Sequence, residues 1–176
     1  MRKYKFRART LPRKNKVGFA SGNVENGWWV YGELHAACER PHIHTVEGLR
    51  EYIDPNTAGE FSSVYDIDGK EIYEDDIIYN IDADGNPDIY RIVWSDECAA
   101  FVRVRYQNTY YRVVKDCGVL KQSWVNEYKY KVLGNAHDNG CVLTMPLSKL
   151  RNVFLTASPI PAGSGNDEPL PSFGID

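Results

Sequence analysis

Residues 54–80 read DPNTAGEFSSVYDIDGKEIYEDDIIYN, and this stretch decides the fold of the chain. It contains a tight Asp68-Gly69 turn, a cluster of acidic residues and an apolar run from Ile77 to Tyr79. Turn formers followed by β-branched and aromatic residues are typical of a loop that leads into a buried strand. The stretch therefore indicates architecture rather than catalysis.

The composition predicts one mainly β domain. With 176 residues the chain is long enough for a single domain with a sizeable core. Twelve Tyr and four Trp fit pleated surfaces better than helices. The 21 basic and 24 acidic residues give a net charge of -3, so charge does not indicate a class of partner.

The cysteines and the N-terminus favour a cytoplasmic protein. Four cysteines lie far apart without C-x-x-C spacing, which disfavours a zinc ribbon or a redox dithiol and favours reduced, mostly buried thiols. No run approaches the roughly 18 apolar residues of a membrane span, and no signal-like apolar segment follows the first seven residues. We therefore expect no membrane contact.

Near the N-terminus, a period of two predicts a half-buried strand. Tyr4, Phe6 and Ala8 would share one face, and the other face would carry the cations Lys3, Lys5, Arg7 and Arg9. Two interpretations of the cationic face are open. It either contacts nucleic acid, or it is an exposed strand face or a sheet edge that charge guards against unwanted pairing. The second interpretation is favoured.

Other segments extend the β pattern. Strands are predicted at residues 27–35, 41–46, 77–82, 89–94, 99–106, 110–114 and 125–133, with a further short strand around 17–20. Residues 45–53 fit either a short helix capped by Thr45 or two strands joined by a turn at Glu47-Gly48, and Gly48 favours the strands.

The chain divides into three parts. Residues 1–145 are predicted to form a small antiparallel β-barrel or sandwich-like domain with few short helices. Within 146–156, Leu147, Leu150 and Phe154 recur at helical spacing and predict a short docked helix. Residues 157–176 are rich in Pro, Gly and Ser and predict an unstructured tail.

Three motifs carry a family resemblance. They are the opening Tyr4-Lys5-Phe6-Arg7-Ala8, the central Asp54-Pro55-Asn56-Thr57 through Asp68-Gly69-Lys70-Glu71-Ile72-Tyr73-Glu74-Asp75-Asp76-Ile77-Ile78, and the closing Val132-Leu133-Gly134-Asn135-Ala136-His137-Asp138-Asn139. In this order and at these distances they resemble the YopX family, small proteins encoded by bacteriophages and prophages. The resemblance covers about residues 1–139. It implies a β-rich, barrel-like domain of phage origin and carries over no catalytic residue.

The chain departs from the family pattern at three places. Family members usually have glycine at the position of Asp75, a Thr-Gly pair at Ser63-Val64 and a Pro-Glu-Leu-Leu-like run in place of residues 140–143. If position 75 needs a left-handed backbone, aspartate is strained there, although Asp tolerates that region better than most residues.

The sequence predicts no metal-binding or catalytic motif. The acidic loops at Asp66-Asp68-Gly69 and Asp82-Asp84-Gly85 place glycine at the fourth position, whereas an EF-hand loop needs it at the sixth, so Asx turns explain them better. His42 and His44 project to one side of a strand, but no third or fourth ligand is identifiable.

No nucleophile elbow, phosphate loop or dinucleotide fingerprint is present, so no cofactor is expected. His137 beside Asp138 is the one position suited to acid–base work, and turn or capping hydrogen bonds explain it more simply.

Two hypotheses for function follow. The first is a non-enzymatic β-barrel module that contacts a protein partner or a second copy of itself. The adjacent Trp28 and Trp29, which must point to opposite faces of a strand, support it. The second is nucleic-acid binding through the basic N-terminal segment, centred on Lys3, Lys5, Arg7 and Arg9. An enzyme of unknown class is a distant alternative.

Overall fold

The computed structural model describes residues 4–11, 27–82, 84–106, 113–145 and Lys149. These residues form two antiparallel sheets and a few short helices, as the mainly β prediction requires. Within the described strands, the hydrogen-bonded ladders make two sheets and no closed barrel. None of the helices in this part of the chain is long and apolar enough to span a membrane.

The six-stranded sheet has the order β4-β3-β2-β1-β5-β6. Its strands are β1 (Phe6–Arg9), β2 (Trp29–His35), β3 (His42–Thr45), β4 (Arg50–Tyr52), β5 (Gly59–Tyr65) and β6 (Glu71–Tyr73). The N-terminal strand β1 therefore lies inside the sheet, between β2 and β5, and the prediction that its cations guard an edge is wrong. The two-strand interpretation of residues 45–53 is confirmed, with a turn between β3 and β4.

The five-stranded sheet has the order β10-β9-β8-β7-β11. Its strands are β7 (Asp76–Ile81), β8 (Pro87–Ser95), β9 (Ala100–Tyr106), β10 (Val113–Val119) and β11 (Lys131–Asn135). Two short α-helices, α1 (Gln122–Tyr128) and α2 (Ala136–Asn139), flank β11, and 3-10 turns occur at Pro55–Thr57 and Gly140–Thr144.

Three apolar clusters hold the sheets. One side of the six-stranded sheet buries Ala8, Val30, Ile43 and Ile53. The largest cluster joins both sheets and packs α1 through Val125; its buried members are Val64, Ile72, Ile78, Tyr90, Ile92, Phe101, Leu120, Val125 and Tyr130. Opposite it, Ile77 and Ile89 pack against Val142 of the second 3-10 turn. The five-stranded sheet is thus covered on both faces.

The central stretch contains more strand than its loop-like composition suggests. The Asp68-Gly69 turn is confirmed: Asp66 Oδ1 accepts hydrogen bonds from Asp68 N at 2.9 Å and Lys70 N at 2.8 Å, and Gly69 has φ +85°. The turn joins β5 to β6 in a hairpin. A link of two residues, Glu74 and Asp75, then connects β6 to β7. The interpretation of residues 54–76 as a loop is therefore wrong for β5 and β6.

The predicted strand over residues 125–133 is also wrong. Residues 122–128 are helical and bury Val125, and the strand begins only at Lys131. Lys129 ends the helix in the left-handed conformation, with φ 55°. Glycine usually occupies this position and marks a helix end in the sequence, and here it is absent. The alternation of Tyr128, Tyr130 and Val132 spans this junction instead of one strand.

Cysteine exposure is a further correction. Cys38, Cys98 and Cys141 are exposed, so the prediction of mostly buried thiols is wrong for these three. The candidate strand at residues 17–20, the tail at 157–176 and, apart from Lys149, the helix predicted within 146–156 lie outside the described residues.

Asp75, which stands where family members usually have glycine, has a left-handed backbone conformation. Its φ is 65°, and it lies in the two-residue link between β6 and β7. Two contacts hold the side chain: Arg91 Nε donates to Asp75 Oδ1 at 2.8 Å, and His137 Nε2 lies 3.2 Å from Asp75 Oδ2. Ser63 has φ 66° at a β-bulge in β5, beside the second departure from the family pattern.

Asp75→Gly should be more stable than Asp75→Ala by about 1 kcal/mol. Both variants lose the contacts to Arg91 and His137, but only glycine relieves the left-handed backbone, which costs an L-residue roughly 1–2 kcal/mol. Urea unfolding gives the two free energies. The same pair of substitutions at Asp96, whose φ is not positive, should show the opposite order because glycine there only adds unfolded-state entropy. Equal stability of the two Asp75 variants would contradict this account.

Candidate interaction face

The side of the six-stranded sheet opposite the Ala8–Val30–Ile43 cluster is called here the polar face. Lys5, Arg7 and Arg9 lie on it, next to Trp29 and Tyr31 of β2. The register places Arg7 opposite Tyr31 and Arg9 opposite Trp29. The prediction that the cations share one face of the N-terminal strand, opposite Phe6 and Ala8, is therefore confirmed.

Every cation of this strand that the structure describes is paired with a carboxylate. The pairs are Lys5 Nζ with Glu71 Oε2 at 2.6 Å, Arg7 Nη1 with Asp76 Oδ1 at 2.6 Å, and Arg9 Nη2 with Asp138 Oδ1. Lys3, the fourth member of the predicted set, lies outside the described residues. The partners come from β6, β7 and α2, so the cations connect β1 to later parts of the chain.

The Arg7–Asp76 pair is buried. The two side chains are 8% and 1% exposed, so the prediction of an exposed cationic face is wrong at Arg7. Asp76 Oδ2 accepts a hydrogen bond from Tyr73 N at 2.7 Å, and Arg7 Nη2 donates to Glu74 O at 3.0 Å. The 2.6 Å contact between the two side chains is a charge contact rather than an aligned hydrogen bond, because Asp76 Oδ1 has no hydrogen-bond partner among the described residues.

Burial raises the pKa of Asp76 to about 6, because desolvation penalises the carboxylate more than its partners stabilise it. The Arg7 charge and the Tyr73 N–H act in the opposite direction and limit the shift. Asp76 is thus charged at neutral pH and is held in that state by Arg7.

Aromatic rings enclose the guanidinium groups. Arg7 Cζ lies 5.1 Å from the centre of the Trp29 ring and 5.0 Å from that of Tyr73, and Arg9 Cζ lies 5.5 Å from the Trp29 ring. These distances suit cation–π attraction. Trp29 Nε1 also donates to Asp138 Oδ2 at 2.8 Å, so the indole is fixed by the same network that fixes Arg9.

An open cleft of about 480 Å³ runs along the polar face. It is lined by Lys5, Arg7, Trp29, Val30, Tyr31, Thr45, Val46, Glu47, Lys70, Glu71 and Tyr73. Trp29 therefore faces this cleft, whereas Trp28, which is 43% exposed, does not line it. The sequence identified Trp29 and the cations but missed Tyr31, Val46 and Tyr73, which come from three different strands or turns.

The acid–base candidate His137 belongs to a capped turn. Asn135 Oδ1 accepts hydrogen bonds from His137 N at 2.9 Å and Asp138 N at 3.0 Å, so Asn135 caps α2. The capping interpretation is confirmed. The second acidic loop is likewise an Asx turn, since Asp82 Oδ1 accepts from Asp84 N at 3.0 Å and Asn86 N at 2.7 Å.

Three imidazoles cluster further along the polar face. His42 and His44, noted in the sequence, are joined by His35, and one ring nitrogen of each lies within 4.8 Å of the others. Desolvation and the neighbouring His35 and His42 lower the pKa of His44, which favours its neutral form. The sequence missed His35 because only the pairing of β2 with β3 brings it to the other two.

The chain matches a protein-family model over most of its length. The family model described as YopX protein matches residues 6–144. No curated protein matches the chain. The matched range includes both sheets.

Removing one member of the Arg7–Asp76 pair should destabilise the fold by about 3–5 kcal/mol, because a buried charge is left without its partner. Arg7→Met and Asp76→Asn are the single variants. The double variant should be at least about 2 kcal/mol more stable than the sum of the two single losses predicts, because neither charge then remains. Urea unfolding of the four proteins gives the free energies of unfolding for this double-mutant cycle. The Lys5–Glu71 pair, whose side chains are 33% and 29% exposed, is the control, with an expected coupling of about 0–1 kcal/mol. Additive losses at Arg7 and Asp76 would contradict the account.

The Asp76 carboxyl should titrate near pH 6 in the native protein, which carbon-detected NMR of its side chain can follow. The folded-state pKa is raised above the unfolded value of 3.8, so the native state binds the extra proton in that window. The stabilisation that comes from binding this proton to the native state should be fully present below about pH 4 and should be lost as the pH rises through about 6. A titration midpoint below 3.8 would show that Arg7 outweighs burial.

Proposed function

The chain belongs to the YopX family, and we propose that it acts as a protein-interaction module without catalytic chemistry. Its setting in this proposal is the cytoplasm of a bacterial host that carries a phage or prophage, as the family resemblance implies. The partner is a protein segment, from the host, the phage or a second copy of this chain, that binds in the polar-face cleft.

The observation that carries this proposal is an aromatic cleft in which Lys5 and Arg7 are already paired with carboxylates. Trp29, Tyr31 and Tyr73 line it together with the exposed Val46, while Lys5 and Arg7 are neutralised by Glu71 and Asp76. Aromatic residues are enriched at the cores of protein interfaces. Lys70 and Glu47 are on the wall of the cleft, where a polar rim is expected.

The alternative proposal, nucleic-acid binding through Lys3, Lys5, Arg7 and Arg9, has weaker support. Affinity for a polyanion depends on cations that are free to contact phosphates and release counterions. Lys5, Arg7 and Arg9 are engaged with carboxylates, and one further acid, Glu47, lines the same cleft. The aromatic rings alone suit stacking on bases, but the field around them is nearly neutral.

Val46 offers the sharpest test because it can be changed without disturbing the fold. It is 86% exposed and lines the cleft, whereas Leu49, 58% exposed in the same connection between β3 and β4, does not. Trp29 is a poorer choice, because its removal also disturbs Arg7, Arg9 and Asp138.

Val46→Glu should weaken partner binding about 10-fold or more, because it places a charge on an apolar contact surface, and Leu49→Glu should leave binding unchanged. Affinity capture from the host followed by mass spectrometry identifies the partner, and titration of the purified pair measures the affinity. Sedimentation of the three proteins alone tests self-association by the same face. Equal binding by all three proteins, or a protein that is strictly monomeric and captures no protein, would overturn the proposal.

A further inference from the structure

Three histidines of the β2–β3 hairpin form a close cluster on the polar face. His35 and His42 are directly opposite each other in the β2–β3 ladder, and His44 lies two residues further along β3 on the same face. The ring centres are 4.9 Å apart for His35 and His42, 4.5 Å for His35 and His44, and 5.0 Å for His42 and His44. From this placement we propose that the β2–β3 hairpin binds one divalent zinc-class metal ion through His35, His42 and His44.

Coordination requires the three rings to rotate and close. One nitrogen of each ring lies within 4.8 Å of the others, whereas at Zn–N distances of about 2.0–2.1 Å a tetrahedral ion holds its ligand atoms about 3.4 Å apart. The rings of His35 and His42 stack with their planes 2° apart, so their in-plane lone pairs must turn toward a common ion. Side-chain rotations on a fixed hairpin can supply both changes, because the backbone register already places the three rings on one face.

His42 is oriented as a metal ligand should be. It is buried, and its Nδ1 lies 3.1 Å from the carbonyl oxygen of Arg40 and 3.4 Å from Cys38 Sγ. A proton on Nδ1 that is donated to this carbonyl leaves the lone pair on Nε2, which is the tautomer that metal-bound histidines adopt. The hairpin turn thus supplies the outer hydrogen bond that fixes the ring.

His35 has a buried nitrogen that the protein leaves unsatisfied. Its Nε2 is shielded from solvent and has no hydrogen-bond partner among the described residues. The nearest carboxylate oxygen, Glu33 Oε1, is 4.0 Å away. A buried nitrogen without a hydrogen-bond partner, on a ring that lies beside two other imidazoles, is explained by a ligand that all three rings share.

Glu33 completes the ligand set. It is opposite His44 in the ladder and on the same face as His35, so the four side chains form a two-by-two block. Its side chain is 76% exposed and can move toward the ion as a fourth ligand. Arg50, whose Nε donates to His44 Nε2 at 3.3 Å, is exposed and would release that bond when His44 coordinates.

The chemistry of the ligands selects the class of ion. Three imidazoles and one carboxylate suit Zn²⁺ and related late transition metals, whereas Ca²⁺ and Mg²⁺ require oxygen ligands almost exclusively. The proposed site is separate from the interaction cleft, since His35, His42 and His44 do not line it. Metal binding and partner binding can therefore succeed or fail independently.

The test uses the full chain after treatment with a chelator. Titration with Zn²⁺ against a competing indicator should give one ion per chain, and Co²⁺ should give the intense visible absorption of tetrahedral coordination. His35→Gln and His44→Gln should each weaken Zn²⁺ binding by about 100-fold or more, because loss of a direct ligand should cost at least as much as loss of an outer-shell partner, which costs about 10–100-fold. His137→Gln is the matched control and should bind like the unmodified protein, because His137 contacts Asp75 and lies outside the cluster.

Two further measurements test the site even if an imidazole variant does not fold. Zn²⁺ should raise the thermal midpoint of the unmodified protein and not that of His35→Gln, because an ion bound only to the native state stabilises it. Glu33→Gln, a change on an exposed side chain, should weaken binding about 10-fold and serves if an imidazole variant does not fold. Binding that is weak and multisite, or that is lost equally in His137→Gln, would overturn the proposal.

Discussion

The buried contact between Arg7 of β1 and Asp76 of β7 is the interaction on which the rest of the structure depends. It joins the two sheets across 69 residues of sequence, and both side chains are almost fully buried. Two desolvated charges are tolerated because each stabilises the other, and hydrogen bonds from Tyr73 N to Asp76 and from Arg7 to Glu74 O add to this stabilisation. The contact therefore fixes which face of β1 points toward the second sheet. It also positions Tyr73 and Trp29 around the guanidinium.

The two flanking pairs extend the same constraint along β1. Lys5 reaches Glu71 on β6, and Arg9 reaches Asp138 on α2, so successive cations of one short strand contact three later elements. The link between β6 and β7 lies at the middle of this arrangement, where Asp75 is held in a left-handed conformation by Arg91 and His137. The acidic run of residues 74–76 thus serves the packing of the sheets, and no metal ion is needed to explain it.

Local patterns in the sequence predicted the local structure well. The alternation of Phe6 and Ala8 with cations, the Asx turn at Asp66 and the cap at Asn135 depend on neighbouring residues, and each was confirmed. The partners of the cations could not be predicted, because a carboxylate far along the chain becomes a neighbour only after both sheets form. For the same reason His35 was missed, since the β2–β3 register alone brings it to His42. The seven-residue helix α1 escaped detection because it is too short to show a helical period and ends at a lysine instead of a glycine.

The cations at residues 5–9 serve the fold and are not available to a polyanion. Fluorescence anisotropy with labelled single- and double-stranded oligonucleotides at low salt tests this conclusion, with the charge-neutralising variants Lys5→Gln and Arg9→Gln beside the unmodified protein. We expect no saturable binding, or only weak binding that the two variants do not change. Saturable, salt-dependent binding that falls when Lys5 or Arg9 is neutralised would contradict this conclusion.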